Sequence, residues 1–557
     1  MGSARIWRRC WPTINSSWSE FSTLLQSGKI ERASIRPLFF TTYRQIKGTR
    51  MLNIRSARRH VVVGGGTAGW FAALTLRRLF DPSIEVRLIE SPDIGIVGVG
   101  EGGLINLIEA LNRNGIPVSD FMRETGAAFK MGFCYEGWRG GGEQDRFYHL
   151  FADPKAEELG WSEFGGYPLM AALIHHNHAL DGGVLGYNVG YEAVVNNLSQ
   201  MEMAQLLVSG RSGLSMSLHF DSHRVADFLR KVAVSRGVVH QQGKVDSLVR
   251  DERGLVQSLR VTNTDGSAEA LDLGLMIDAS GFARLGIGKT EGSRWRSFKD
   301  YLLMDSAIPF HMPHPQANPS LVTRAIAMEA GWMWQIPLRE RVGAGYVFSS
   351  AHMDPERAVR EIEAKVGHAI EPMRTLRFEP GHFEQVWMGN VLAIGLASGF
   401  VEPLEATSIG QMLEQLKNFE RVLVQSQGVV LDSVIDGFNA ANTQSWSEIR
   451  DFLRMHYDCP RRDNPFWRDV ADSNMPVSYQ DLKASFAVRT PRLIDIQGNS
   501  LHGWGAIFHV MNWMFVAHPL GLLSREAAQA DVLALPEDKR QRVDAYMDKV
   551  RQARTAR

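Results

Sequence analysis

Apolar positions along the chain gather into short β-branched runs that end on glycine, and the first run sets the pattern. His60-Val61-Val62-Val63 leads into Gly64-Gly65-Gly66-Thr67-Ala68-Gly69, and an Ala/Leu-rich stretch of helical character, Trp70 to Arg78, follows. This order predicts a strand, a tight turn and a helix. A second run, Ile84 to Ile89, ends on Glu90. In such a unit Gly64 makes the turn, Gly66 lets a pyrophosphate approach the backbone, and Gly69 allows helix and strand to pack closely. The helix start offers free N–H groups to phosphate, and an acid at the end of the second strand is where a ribose is held. Gly64, Gly66, Thr67, Ala68, Gly69, Glu90 and Ser91 are therefore the expected contacts of a dinucleotide.

The same pattern returns far downstream. Leu275-Met276-Ile277-Asp278-Ala279-Ser280-Gly281 and Val391-Leu392-Ala393-Ile394-Gly395-Leu396-Ala397-Ser398-Gly399 each read as a buried strand running into a turn, and a helix-like stretch from Ser408 to Val424 follows the latter. A discontinuous nucleotide module results, with a second sheet inserted between its parts; Val245, after the β-like Val238-Val239-His240, and Leu396 join the expected cofactor contacts. Gly98 to Gly103 is too glycine-rich for a regular element and reads as a strap along the cofactor at Gly100. No second strand–glycine turn–helix unit of this kind stands out, the glycines of Gly98 to Gly103 reading as the strap, so reducing equivalents must come from another protein. From Asp432 to Ala517 the pattern turns helical and rich in Trp, Phe and Met. Its most apolar part, Trp504 to Leu523, is interrupted by His509, Asn512, His518 and Pro519, which predicts a buried helix rather than a membrane span.

Composition narrows the function classes. Across 557 residues Lys plus Arg equal Asp plus Glu at 61 each, so no net field draws the chain to nucleic acid or to a membrane. Cys10, Cys134 and Cys459 form no metal-type cluster, which suits a reducing, cytoplasmic setting. Residues 1–50 carry nine basic residues against two acidic ones without amphipathic period and read as an extension outside the fold, whose removal at Met51 should leave flavin binding intact. The expected division is 1–50, a nucleotide module with inserted sheet over 51–430, and a helical region over 431–557.

Gly331-Trp332-Met333-Trp334-Gln335-Ile336-Pro337 matches the WxWxIP signature, and the chain resembles the flavin-dependent halogenases, the tryptophan-halogenase-like family. The GxGxxG opening, Gly98 to Glu101, Phe129-Lys130, Asp221 to Leu229 and Gly395 to Thr407 extend the resemblance over roughly residues 58–520. It implies an α/β fold: an FAD-binding GxGxxG module of the aromatic-hydroxylase type, an inserted mixed β-sheet and a mostly helical C-terminal region. It also implies FAD used as FADH2 from a separate flavin reductase, O2, and chloride or bromide, yielding hypohalous acid that halogenates an electron-rich, indole-type ring. A homodimer is left open.

Residue by residue, the resemblance makes Lys130 and Glu405 catalytic. It places a halide at the amides of Thr407 and Ser408, a flavin contact at Ile409, and Trp332 and Trp334 between flavin and substrate. It sets His149, Phe151, Phe466 and Trp467 against the substrate ring. Taken by themselves, the tryptophans are two rings on one face of a strand and suit a core. Lys130 alone suits a snorkelling surface lysine, and Glu405 a helix-start acid. The family usually has Glu-Ser-Thr-Gly where this chain has Glu405-Ala406-Thr407-Ser408, which alters the halide geometry but keeps the carboxylate. An arginine stands near the glutamate that holds the amino-acid end in tryptophan-specific members; being a donor only, it cannot hold an ammonium group. Two rivals share the FAD module: a single-component aromatic hydroxylase that needs no halide, and a flavin-binding protein without catalysis.

Overall fold

The computed structural model describes residues 51–555 apart from 96–97, 99, 141, 153–170, 173, 176–184, 186–187, 317 and 498–502; the expected N-terminal extension, 1–50, lies outside them. The first apolar run is a strand, Arg59–Val63, and the stretch after the glycines is a helix, Thr67–Leu79. An eight-stranded sheet surrounds that strand. Glu85–Glu90 and Leu275–Asp278 flank it in parallel, Val239–Arg250 joins Glu85–Glu90, and Val391–Ala393 joins Leu275–Asp278. The central strands are almost wholly buried, as parallel strands covered on both faces must be, and this explains their unbroken Val/Ile/Leu runs. Segments some two hundred and three hundred residues downstream thus complete one sheet, as a discontinuous module requires.

The inserted sheet has seven strands and is mixed. Thr323–Ala327 runs parallel to Gly132–Glu136, and the remaining pairs, including Gly331–Pro337 with Val342–Phe348, are antiparallel. A small three-stranded sheet joins Glu101–Gly102 and Ala128–Lys130 to Ser217–Phe220. The helix expected from Ser408 is Thr407–Ser426, and the C-terminal region opens with the 25-residue helix Asp432–His456. The apolar stretch near the C-terminus is helical only over Val510–Ala517, because His509 caps its start and Pro519 lies just beyond its end. No helix among the described residues is long and apolar enough to cross a membrane.

His60 shows how tightly the first strand is covered. Both ring nitrogens are buried without a hydrogen-bond partner, the ring lies 4.1 Å from that of Phe80, and burial, aided by the Arg77 charge, lowers its pKa to about 4. The folded protein therefore binds this proton less readily than the unfolded chain. The stability contributed by the neutral ring is complete above pH 6.5 and is lost as pH falls towards 4, by about 3 kcal/mol in all. Melting temperatures measured across that window should fall more steeply in the wild type than in His60→Leu; parallel curves would contradict this.

Candidate active site

The glycine turn has the close contacts its chemistry demands. Gly64 has φ +120°, and a Cβ there would meet the Ala279 carbonyl oxygen at 2.2 Å; a Cβ on Gly69 would meet that of Gly64 at 1.8 Å. Gly66 is different: a Cβ built on it meets nothing within 4 Å, so open space lies where a pyrophosphate would approach. Thr67 and Ala68 begin the helix behind it, and a Cβ on Gly395 would lie 3.2 Å from Ala68 Cβ, which seats the Gly395–Ala397 turn carrying Leu396 against the helix start. Glu90 lies across the turn, close over Gly65, with Oε1 2.6 Å from His240 Nε2, and Ser91 opens the loop that follows. Val245 lies just past the stretch of its strand that pairs with Glu90; its side chain belongs to a core cluster, so only its backbone is left for a cofactor. Ile409 packs at the edge of the nucleotide core.

The strap at Gly98 to Gly103 continues from this module. Gly98 and Gly100 have φ of +153° and +145°, which side chains rarely adopt. Glu101 donates no bond but accepts one from Ser222 Oγ at 3.2 Å, and burial raises its pKa to about 7. A Cβ on Gly102 would sit 2.9 Å from Lys130 Nζ, so the strap passes directly over that lysine.

Lys130 is fully buried, and its Nζ has no hydrogen-bond partner. It stands 3.9 Å from the centroid of the Phe133 ring and 5.7 Å from that of Phe151. Burial lowers its pKa to about 7 against the opposing charge of Glu405. The snorkelling alternative therefore fails. A buried amine that titrates near neutrality carries a substantial uncharged fraction, which an exposed lysine lacks.

Glu405 is also fully buried, and three donors converge on it. His149 Nδ1 lies 2.8 and 2.9 Å from its two oxygens, His456 Nε2 lies 3.2 Å from Oε1, and the Tyr135 hydroxyl donates to Oε1. Burial opposes ionisation, but the charge and hydrogen bonds of His149 and His456 outweigh it and hold the carboxyl well below the usual range. The His456 ring lies between two oxygens, with Nε2 towards Glu405 and Nδ1 2.8 Å from the Phe452 carbonyl. Phe133 links the two centres: its ring faces Lys130 on one side and stacks 6.0 Å from His149.

Glu405 and Ala406 have φ of +64° and +53°, left-handed values that cost roughly 1–2 kcal/mol per non-glycine residue. The strained turn runs into the helix Thr407–Ser426, whose start has no side-chain cap. Thr407 Oγ1 and Ser408 Oγ are buried without partners there. Unbonded N–H groups of a first helical turn beside orphaned hydroxyls suit a small anion.

The aromatic residues divide. Trp332 and Trp334 lie on one buried face of their strand with centroids 6.3 Å apart, and Gly345 on the adjacent strand leaves room for the Trp334 ring. The Phe151 ring lies on the Lys130 side, 5.7 Å from its Nζ. The His149 ring stacks on Phe133, and its edge is engaged at both nitrogens, by Glu405 at one and by Asn512 at 3.0 Å at the other. Phe466 and Trp467 are almost completely buried. Asn464 caps and Pro465 starts their helix, turning both rings into the core, where the Trp467 indole N–H donates to the Met328 carbonyl at 2.9 Å and its ring meets Trp138 and Arg461. Sequence reasoning passed over Tyr135, His456, Tyr457 and Glu402. Only Glu402 gave a local signal, as an acid inside the apolar Phe400 to Leu404 run.

A discontinuous nucleotide module opening on this glycine turn, in one chain with a fully buried lysine and carboxylate, suits a flavin-dependent oxidoreductase. More narrowly, the chain belongs to the tryptophan halogenase family, whose model matches residues 59–534. It is 32% identical over 498 residues to the tryptophan 7-halogenase RebH of Lentzea aerocolonigenes, covering 83% of this chain and 89% of that one. It is 41% identical to the uncharacterised protein y4xG of Sinorhizobium fredii, covering 90% and 97%. The solved flavin-dependent halogenase Xcc4156 of Xanthomonas campestris superposes with a TM-score of 0.73 at 29% identity, covering 89% of this chain and 95% of that one. The tryptophan 6-halogenase SttH of Streptomyces toxytricini does so with 0.73 at 27%, covering 88% and 96%.

Proposed function

We propose that the chain halogenates an electron-rich, indole-type aromatic with hypohalous acid, which Lys130 and Glu405 direct onto the ring. The observation that carries this reading is a buried, unbonded lysine amine within the electrostatic reach of a buried carboxylate held by three donors. Reduced FAD, supplied by a separate reductase, provides when bound the electrons that convert O2 and a halide into hypohalous acid. Gly64, Gly66, Thr67, Ala68, Gly69, Glu90, Ser91, Gly100, Val245, Leu396 and Ile409 would hold it, and Thr407 and Ser408 the halide. Gly66→Ala tests the first set: its backbone, φ −77° and ψ −178°, accepts alanine without strain and the Cβ has space, so melting should be unchanged. FAD affinity should fall tenfold or more, a loss of about 1.4 kcal/mol. Unchanged affinity would contradict the assignment.

At the far site the neutral Lys130 amine attacks the halogen. The N–halogen bond forms as the halogen–oxygen bond breaks, and the departing hydroxide takes a proton from nitrogen to leave as water. The aromatic ring then takes the halogen from nitrogen, the Glu405 carboxylate accepts the proton released from the ring carbon, and return of that proton to nitrogen restores both the amine and the carboxylate. Trp332 and Trp334 keep substrate away from the flavin. Phe133 and Phe151 make an apolar wall suited to a flat ring. Arg461, engaged with Asp463 and the Gly137 carbonyl, offers no anchor for an ammonium, so indoles lacking the amino-acid tail are preferred to free tryptophan. Incubation with FAD, a flavin reductase, NADH, bromide and indole should yield brominated product by mass spectrometry. Hydroxylated product would favour a monooxygenase, and flavin reoxidation with neither product, across several aromatics, would refute the reading.

A further inference from the structure

Three residues before Glu405, a second buried carboxylate has no part in the chemistry above. Glu402 is 1% exposed, and one of its oxygens, Oε2, accepts two hydrogen bonds: from the Trp332 indole N–H at 2.6 Å and from the Tyr457 hydroxyl. Its other oxygen is buried without a partner. Trp332 and Tyr457 are themselves almost completely buried, so neither donor has water as an alternative. Tyr457 caps the helix Asp432–His456, and His456 holds Glu405. One end of one C-terminal helix therefore grips both carboxylates, His456 on Glu405 and Tyr457 on Glu402, and of the two carboxylates Glu402 reaches across to the tryptophan strand, where Tyr457 also meets Trp332.

We propose that Glu402 is a positioning residue that locks the Trp332 ring in the wall between the flavin and substrate sides and fixes that ring relative to Glu405. An indole in an apolar strand face has ring flips open to it that packing alone discriminates weakly. A directional bond from its single N–H to a carboxylate selects one of them, and a charged acceptor makes that bond stronger than a neutral one. The Pro403-Leu404 link makes the turn short, so a Trp332 ring held by Glu402 has a set distance from the Glu405 backbone. Burial raises the Glu402 pKa to about 7 against the bonds from Tyr457 and Trp332, in keeping with a carboxyl whose second oxygen is unpaired. The inference rests on the proposed function only for the consequence, which is efficient transfer of oxidant to substrate.

Two readouts separate contact from consequence. In protein labelled with ¹⁵N-tryptophan, with FAD bound and at a pH above 7, the Trp332 indole resonance is assigned by its loss in Trp332→Phe. Glu402→Gln replaces a charged acceptor with a neutral one and should move that resonance upfield while leaving the other indoles in place; an unmoved resonance overturns the proposal whether or not the chain halogenates anything. The consequence is read as halogenated product formed per flavin oxidised. Trp332→Phe and Glu402→Leu should each lower this ratio several-fold and release trappable oxidant, with no further loss in the double variant, and Glu402→Gln should recover most of it. Multiplying losses in the double variant would show that the two residues act independently and overturn the proposal. Should Glu402→Leu fail to fold, Trp332→Phe, Glu402→Gln and their combination make the same comparison. Absence of halogenation by the wild type would instead refute the proposed function, leaving the resonance to decide the contact.

Discussion

Lys130→Ala should lower halogenation by roughly 10²- to 10⁴-fold, the scale on which a positioned proton-transfer group contributes. Lys130 is carried by the short strand Ala128–Lys130 and not by the glycine turn, so FAD binding should be unaffected. Oxidant should still form and should become detectable by a solution trap once it has no amine to meet. The pH dependence has a definite sign. Burial brings the Lys130 pKa from 10.5 down to about 7, so the reactive amine accumulates as pH rises through that value. Single-turnover halogenation in the wild type should rise through pH 7 and then level off. A rate that falls over the same range would assign the work to the ammonium form, and full activity in Lys130→Ala would remove the lysine from the mechanism.

Glu405→Gln should slow turnover on the order of 10²-fold or more, because the amide keeps the shape but cannot accept the ring proton. The wild-type carboxyl titrates well below its usual range, so acid should not reproduce this loss at the moderately low pH where free carboxylates protonate. Glu405→Ala should do further harm. Without the carboxylate, Tyr135, His149 and His456 lose their shared partner in a fully buried space, at a cost of about 1–3 kcal/mol for each group left unsatisfied. A lower melting temperature in the alanine variant than in the glutamine variant checks this, and equal melting would mean that the three donors find other partners.

What could be read from the sequence divides along a physical line. The glycine turn, the strands at Leu275 and Val391 and the helix at Thr407 are encoded by neighbours within one short window, and each appears where its pattern places it. Lys130 and Glu405 were legible through resemblance; their own surroundings suggested only a snorkelling lysine and a helix cap. The partners of Glu405 were not legible. Tyr135 is 270 positions from it and His149 256, and they converge because strand pairing in the inserted sheet places Gly132–Glu136 beside Arg146–Leu150. The same distance effect hid the edge contacts of His149: its aromatic character suggested stacking, and its ring nitrogens also meet Glu405 and Asn512. For Phe466 and Trp467 the cap at Asn464 fixes which way the helix starts, and with it which side of the core the rings enter.

The central claim is that oxidant passes internally from where it is made to Lys130 and Glu405 without entering bulk water. A hypohalous-acid scavenger in large excess, such as free methionine, tests it during turnover with bromide and indole. Product formation by the wild type should be nearly unchanged by the scavenger, while in Lys130→Ala the scavenger should collect oxidant in step with flavin consumption. Loss of wild-type product in proportion to scavenger would mean that free hypobromous acid does the halogenation in solution, and the buried pair would have no part in it.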